Sequence, residues 1–139
     1  MRRTQVGITL VELLVTVGIV GILAAIAYPN YREYALRGNR TEAKVEMQEI
    51  AQELEKCYTR FGRYDSPGCA VYADLTDGSP RPSEGGRYLI SFQASGRDSY
   101  RLRADPQAGQ MADTKCGTLF VDETGARGVS ANPPDPKCW

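Results

Sequence analysis

The sequence predicts an α+β fold in which one long N-terminal helix lies against a small antiparallel β-sheet. Three observations lead there. Residues 8–27 form an almost uncharged apolar run. The apolar pattern then continues at helical spacing as far as Tyr58, and after residue 86 it changes to short alternating runs set between turn residues. Composition narrows the function before any element is placed. With no His among 139 residues, Ser-His-Asp and Cys-His nucleophile pairs, His metal ligands and the usual near-neutral proton shuttle are all excluded. Few enzymes remain, and neither an enzymatic role nor a cofactor is expected. Seventeen Lys+Arg balance 17 Asp+Glu, so no global field attracts nucleic acid or an anionic membrane.

The first element is the apolar run ITLVELLVTVGIVGILAAIA, whose single charge is Glu12. Twenty helical residues at about 1.5 Å each span roughly 30 Å, the thickness of a bilayer's hydrocarbon core. Arg2 and Arg3 lie upstream, so the positive-inside rule keeps the short N-terminus cytoplasmic and exports everything after Tyr28. A cleaved signal peptide would share these features, including a small-x-small site at Ala25-Ile26-Ala27. Glu12 argues against it, because a carboxylate within an apolar segment costs about 2.5 to 3.5 kcal/mol on insertion scales, and a plain signal gains nothing in return. A buried acid needs a partner. Cleavage between Gly7 and Ile8 would create a positive α-amino group that Glu12 of another copy could neutralise.

The segment Gly7-Ile8-Thr9-Leu10-Val11-Glu12-Leu13-Leu14 resembles the prepilin motif of type IV pilins and related pseudopilins. The resemblance implies that prepilin peptidase cuts after Gly7, that Ile8 becomes the N-methylated first residue, and that Glu12 recruits and aligns neighbouring subunits. Ile8 stands where the family usually has Phe. By the same resemblance, residues 1–7 are a removed leader, 8–28 a transmembrane and filament-core helix, 29–58 its amphipathic continuation, and 59–139 a globular head closed by a C-terminal disulfide loop. The fold it implies is the pilin-like αβ-roll. The implied partners are prepilin peptidase, other major and minor pilins, the assembly platform and inner-membrane lipid. The subunit would cross the inner membrane once with its head in the periplasm, then enter an extracellular pilus that serves adhesion and twitching motility.

In the second half of the helix, Ala43, Met47, Ile50, Leu54 and Cys57 recur at steps of 4, 3, 4 and 3, an apolar stripe able to lie on a sheet. Glu42, Glu46, Glu49 and Glu53 repeat on another face, either solvated or in contact with arginine-bearing loops of a neighbour. Pro29 and the glycines Gly18, Gly21 and Gly38 weaken the helix, each glycine by about 1 kcal/mol relative to Ala, so a kink or local melting is expected. In the resembling pilins the stretch between the positions of Gly21 and Pro29 unwinds within the filament.

Residues 59–86 read as a loop region, rich in turn residues such as Ser66-Pro67-Gly68 and Asp77-Gly78-Ser79-Pro80. Strands are expected at 87–94, 99–104, 117–121 and 126–130 as a meander. Tyr88, Ile90 and Phe92, and Tyr100, Leu102 and Ala104, mark the faces turned to the helix, with Arg101 and Arg103 opposite. A head of this size has a small core, and four cysteines in an exported chain suit it to disulfide stapling. Of three possible connectivities, Cys57 with Cys69 and Cys116 with Cys138 is favoured. These pairs close loops of about a dozen and about twenty residues, each contributing roughly 3 kcal/mol on the loop-entropy scale. A four-thiolate zinc site is the rival. The second pair resembles the disulfide bounding the C-terminal region of many type IV pilins, and the ending Lys137-Cys138-Trp139 is similar to that of minor pilins.

The remaining constellations are weak. Asp113, Asp122, Glu123 and Asp135 lack any calcium-loop spacing. Arg97, Arg101 and Arg103, with Arg60, Arg63, Arg81 and Arg87, offer a local basic patch for DNA or a partner, set against ordinary surface arginines paired with carboxylates. The resemblance and these residues together point to a structural subunit of a type IV pilus, a minor pilin. The alternatives are a type II secretion pseudopilin and a pilin that captures DNA for uptake.

Overall fold

The computed structural model describes residues 7–139. Arg2, Arg3 and all of the expected leader except Gly7 lie outside the described residues. Helix α1 spans Leu10–Phe61, and the chain divides between Ala35 and Leu36 into two units.

In the first unit residues 7–32 are exposed throughout. The helix continues without a break across Gly18, Gly21, Pro29 and Gly38, so the local melting expected there is absent from the single subunit. Strong helix formers such as Leu23, Ala24, Ala25 and Ala27 flank the weak positions and outweigh a cost of about 1 kcal/mol per glycine.

In the second unit the apolar stripe does what its spacing predicts. Ala43, Met47, Ile50 and Leu54 are fully buried, packed against Tyr88, Ile90, Leu102, Ala104 and Leu119, with half-buried Cys57 beside them. The helix stops at Gly62, whose N–H still donates to the Tyr58 carbonyl at 2.8 Å and whose φ of +67° turns the following chain out of the helix. Five antiparallel strands follow in the order of the chain: β1 (Arg81–Pro82), β2 (Tyr88–Ser95), β3 (Tyr100–Pro106), β4 (Leu119–Asp122) and β5 (Arg127–Val129). The four expected strands are present with ends shifted by one or two residues. Leu102 pairs with Phe92 and Val121, and the β2–β3 register shifts between Phe92 and Ala94.

Residues 59–86 are not simply loop. They hold a short helix α2 (Ala70–Thr76) and strand β1. Seven residues give too little periodicity to be read from sequence. Helix α2 exists because the Cys57–Cys69 bridge holds its start and Val71 and Leu75, one turn apart, reach the core. Pro82 lacks a backbone donor, which suits β1 to the sheet edge. Both favoured disulfides are formed, Cys57–Cys69 and Cys116–Cys138, with Cα separations of 5.5 and 5.6 Å, so the cysteines are not a shared thiolate site.

The acidic helix face is neither merely solvated nor left wholly for a neighbour. Arg81 donates to Glu46 at 3.4 Å and Glu53 at 3.3 Å, and the Gly85 N–H donates to Glu42 at 2.9 Å.

A buried polar network joins α1 to the 3-10 turn Ala108–Ala112 and the residues after it. Arg40 and Asp113, 3% and 2% exposed, form an ion pair at 2.9 Å. Gln110 donates to the Leu36 carbonyl at 3.2 Å, the Tyr88 hydroxyl at 3.0 Å and Asp113 at 3.2 Å, and accepts from Asn39 at 2.8 Å.

Candidate functional site

The start of the stem forms a reciprocal cap. The Glu12 backbone N–H donates to Thr9 Oγ1 at 3.2 Å, while Glu12 Oε2 accepts from the Thr9 N–H and hydroxyl, each at 3.3 Å. This is a capping box, which satisfies donors that a helix start otherwise leaves bare. Thr9 three residues before Glu12 is a readable sequence signature, and it adds a local role for an acid that apolar surroundings would otherwise exclude. Oε1 takes no hydrogen bond among the described residues, so the carboxylate retains capacity for a cation from outside the subunit. The Gly7–Ile8 bond lies in irregular backbone just before the cap, and Ile8 is 81% exposed, a setting open to a peptidase.

Further along the stem, nothing lies within 4 Å of where a Cβ would stand on Gly18 or Gly21. Among the described residues no contact requires glycine there. Small residues at such spacing suit close approach of another helix.

The arginines of the expected patch are dispersed in role. Arg101 and Arg103 both lie on the face of β3 turned away from the helix, opposite Asp122 and Phe120 of β4. The Arg101 guanidinium sits 5.0 Å from the Phe120 ring. Arg103 donates to Asp105 at 2.6 Å, and that hydrogen bond holds the guanidinium above its ordinary pKa. Arg97, in the β2–β3 turn, lies 3.9 Å from Asp98, and both are 69% exposed. Asp122 accepts from Thr124 and from the Ala126 N–H, which together hold its carboxyl below the usual range; positive-φ Gly125 closes this turn. Each of the three arginines therefore has a carboxylate close by, and their local field is much reduced. Of the others, Arg81 is engaged by the acidic helix face, Arg63 pairs with Asp65, and Arg60 lies over Phe61.

The carboxylates considered for calcium are also separated in role. Asp113 is paired with Arg40, Asp122 closes the β4–β5 turn, Glu123 accepts from the Tyr100 N–H, and Asp135 from the Lys137 N–H. Among the described residues no cluster of His, Cys, Asp or Glu is arranged to hold a metal.

A groove of about 780 Å³, which the sequence did not suggest, opens beside the β4–β5 turn. Met47, Ala51, Val121 and Trp139 contribute apolar surface, and Glu55 and Arg127 contribute charge. Lys44 and Arg127 stand 5.6 and 5.4 Å from the Trp139 ring, whose N–H donates to the Gly128 carbonyl at 2.8 Å. Burial first, then repulsion from Arg40 and Arg127, pushes the Lys44 ammonium below its ordinary pKa.

Comparison with known proteins matches residues 29–120 to a family described as type IV minor pilin ComP, DNA uptake sequence receptor. Residues 2–28 match the prokaryotic N-terminal methylation motif. The chain is 31% identical over 127 residues to the type IV major pilin protein PilE1 of Neisseria gonorrhoeae, covering 91% of this chain and 57% of that protein. It is 38% identical over 107 residues to the type IV major pilin protein PilA of Myxococcus xanthus, covering 74% and 46%. The chain thus spans about half the length of these curated relatives. Its fold matches the crystal structure of the non-core minor pilin PilV of Neisseria meningitidis with a TM-score of 0.56 at 16% identity, over 73% of this chain and 93% of that one.

Proposed function

The chain belongs to the type IV pilins, in the minor-pilin family that matches residues 29–120, and on that premise we propose that it is a structural, non-catalytic minor subunit of a type IV pilus. One observation carries the reading. Among the described residues nothing covers the apolar helix from residue 7 to 32, and an apolar stem of about 30 Å in water is untenable, so lipid must cover it before assembly and other stems after it. Prepilin peptidase removes the leader after Gly7 and Ile8 is methylated, supported by the matched methylation motif and the open backbone at that bond. The head stays on the periplasmic side of the inner membrane until the assembly platform moves the subunit into the filament. There the free oxygen of Glu12 meets the Ile8 amine of a neighbour. Gly18 and Gly21 allow close stem packing, and the stretch from Gly21 to Pro29 supplies extensibility.

Mass spectrometry of sheared surface filaments tests this. The expected result is a chain starting at N-methylated Ile8, with Cys57–Cys69 and Cys116–Cys138 oxidised, at a small fraction of the major subunit. Finding the processed chain in the envelope but never in filaments would overturn it in favour of a type II secretion pseudopilin.

The description of the matched family also supports a second reading, DNA capture. Arg101 and Arg103 share one sheet face, but the carboxylates beside them leave little net positive field. In a gel shift with the full chain in detergent, Arg97→Ala/Arg101→Ala/Arg103→Ala should leave any DNA binding within about twofold, because neutralised arginines release few counterions. A loss of tenfold or more, steeper at low salt, would establish this face as the DNA site.

A further inference from the structure

Three of the chain's eight tyrosines, Tyr28, Tyr31 and Tyr34, fall within seven consecutive residues directly after the apolar run. The head's tyrosines are engaged. Tyr64 donates to Glu55 at 2.8 Å, Tyr88 accepts from Gln110 at 3.0 Å, and the Tyr72 hydroxyl lies 3.4 Å from Ser95 Oγ. Tyr58 and Tyr100 pack on Tyr64 with ring centroids 4.6 and 4.9 Å away. The stem tyrosines are 66, 71 and 77% exposed and make no hydrogen bond or ring contact among the described residues. A large ring with a polar tip, left uncovered, suits a boundary that is apolar on one side and wet on the other.

We infer that Tyr28, Tyr31 and Tyr34 form an aromatic belt that seats the unassembled stem at the lipid headgroup boundary on the head side of the membrane. The partner is the phospholipid interface, and the inference rests on the reading above that the stem spans a membrane before assembly.

Lengths agree with it. Leu10 to Ala27 is eighteen helical residues, about 27 Å of rise against a hydrocarbon core of about 30 Å. Tyr28 to Tyr34 occupies the next 9 Å or so, close to the roughly 5 to 8 Å that a headgroup layer adds on each side. At 100° per residue the three rings fan over about 120° of the helix surface, which gives a belt rather than a single contact line. Arg32, between them in sequence, lies at the depth of the phosphates, where a guanidinium is favoured. Aromatic and basic residues therefore mark one end of the apolar span, as at a membrane–water interface.

The test uses the full chain in phosphatidylethanolamine–phosphatidylglycerol vesicles whose acyl chains carry bromine at either a shallow or a deep position. Trp139 supplies a background measured with the unsubstituted chain. A Tyr31→Trp reporter should be quenched about threefold more by the shallow label, and an Ile19→Trp reporter more by the deep one. Replacing all three tyrosines by Ala should leave the Ile19→Trp reporter deep, since the apolar length still spans the core, but shift its deep-to-shallow quenching ratio about twofold because the head-side boundary is no longer fixed. If the position 19 reporter is quenched deeply while the position 31 reporter is unquenched or equally deep, the belt is overturned and the membrane-spanning reading stands. A triple-Ala variant whose quenching ratio at position 19 is unchanged also overturns the belt. If the position 19 reporter is quenched by neither label, the membrane-spanning reading fails and the belt with it.

Discussion

A Glu12→Ala subunit is expected to be made, cleaved after Gly7 and retained in the membrane, yet to be nearly absent from filaments. Within one subunit the side chain only completes the cap with Thr9, and losing such a cap costs about 1 kcal/mol. Removing a carboxylate from the apolar segment returns at least as much on insertion scales, so the stem should insert no worse than before. The large effect arises on assembly. On the proposed pairing, the Ile8 amine of each neighbour enters a bundle of apolar stems and needs Glu12 opposite it. Removing one partner of a buried ion pair costs about 3 to 5 kcal/mol, which corresponds to a loss of incorporation of a hundredfold or more. Quantifying the subunit in sheared filaments and in membranes measures this directly. A Thr9→Val control removes the cap hydroxyl and keeps the acid, so it should incorporate within a few-fold of wild type. Equal loss in both variants would show that the cap, not the neighbour's amine, carries the effect, and wild-type incorporation of Glu12→Ala would remove the alignment role.

Asp113→Ala is expected to destabilise the head severely. The change leaves Arg40 charged at 3% exposure and takes one acceptor from Gln110. Removing one partner of a buried ion pair costs about 3 to 5 kcal/mol, against a total stability of about 5 to 15 kcal/mol for a domain. For a unit of roughly a hundred residues that lowers Tm by about 12 °C or more. Circular dichroism melting of the full chain in detergent reads it. Arg40→Met/Asp113→Leu removes both charges and should recover most of the loss, since replacing a buried pair by apolar groups of similar volume is close to neutral. If the single variant melts within about 3 °C of wild type, the pair contributes little and the surrounding apolar packing alone holds this end of the head.

Legibility along the chain followed the range of the interactions. The amphipathic stripe from Ala43 to Leu54 is buried as its spacing implied, and the alternation in β2 and β3 put Tyr88, Ile90, Leu102 and Ala104 inside. Both disulfides pair the cysteines that close short loops. The Thr9–Glu12 cap carries a four-residue signature, Thr three residues before Glu. Helix α2 and strand β1 were not legible, because seven and two residues carry no usable period and both depend on neighbours distant in sequence.

The sequence by itself determined the parts whose cause is local or periodic. A twenty-residue apolar run with one acid near its start, a helical stripe and four alternating segments each follow from neighbours a few residues apart. The tertiary structure alone decided which charges meet. Arg40 finds Asp113, 73 positions away, and Arg81 spans back to Glu46 and Glu53. The register of the sheet sets Asp122 opposite Arg101, whereas Arg103 pairs with Asp105 on its own strand. A charge's partner depends on distance in space, to which composition and spacing are blind, and that pairing decides whether a run of arginines is a binding face or a set of neutralised contacts.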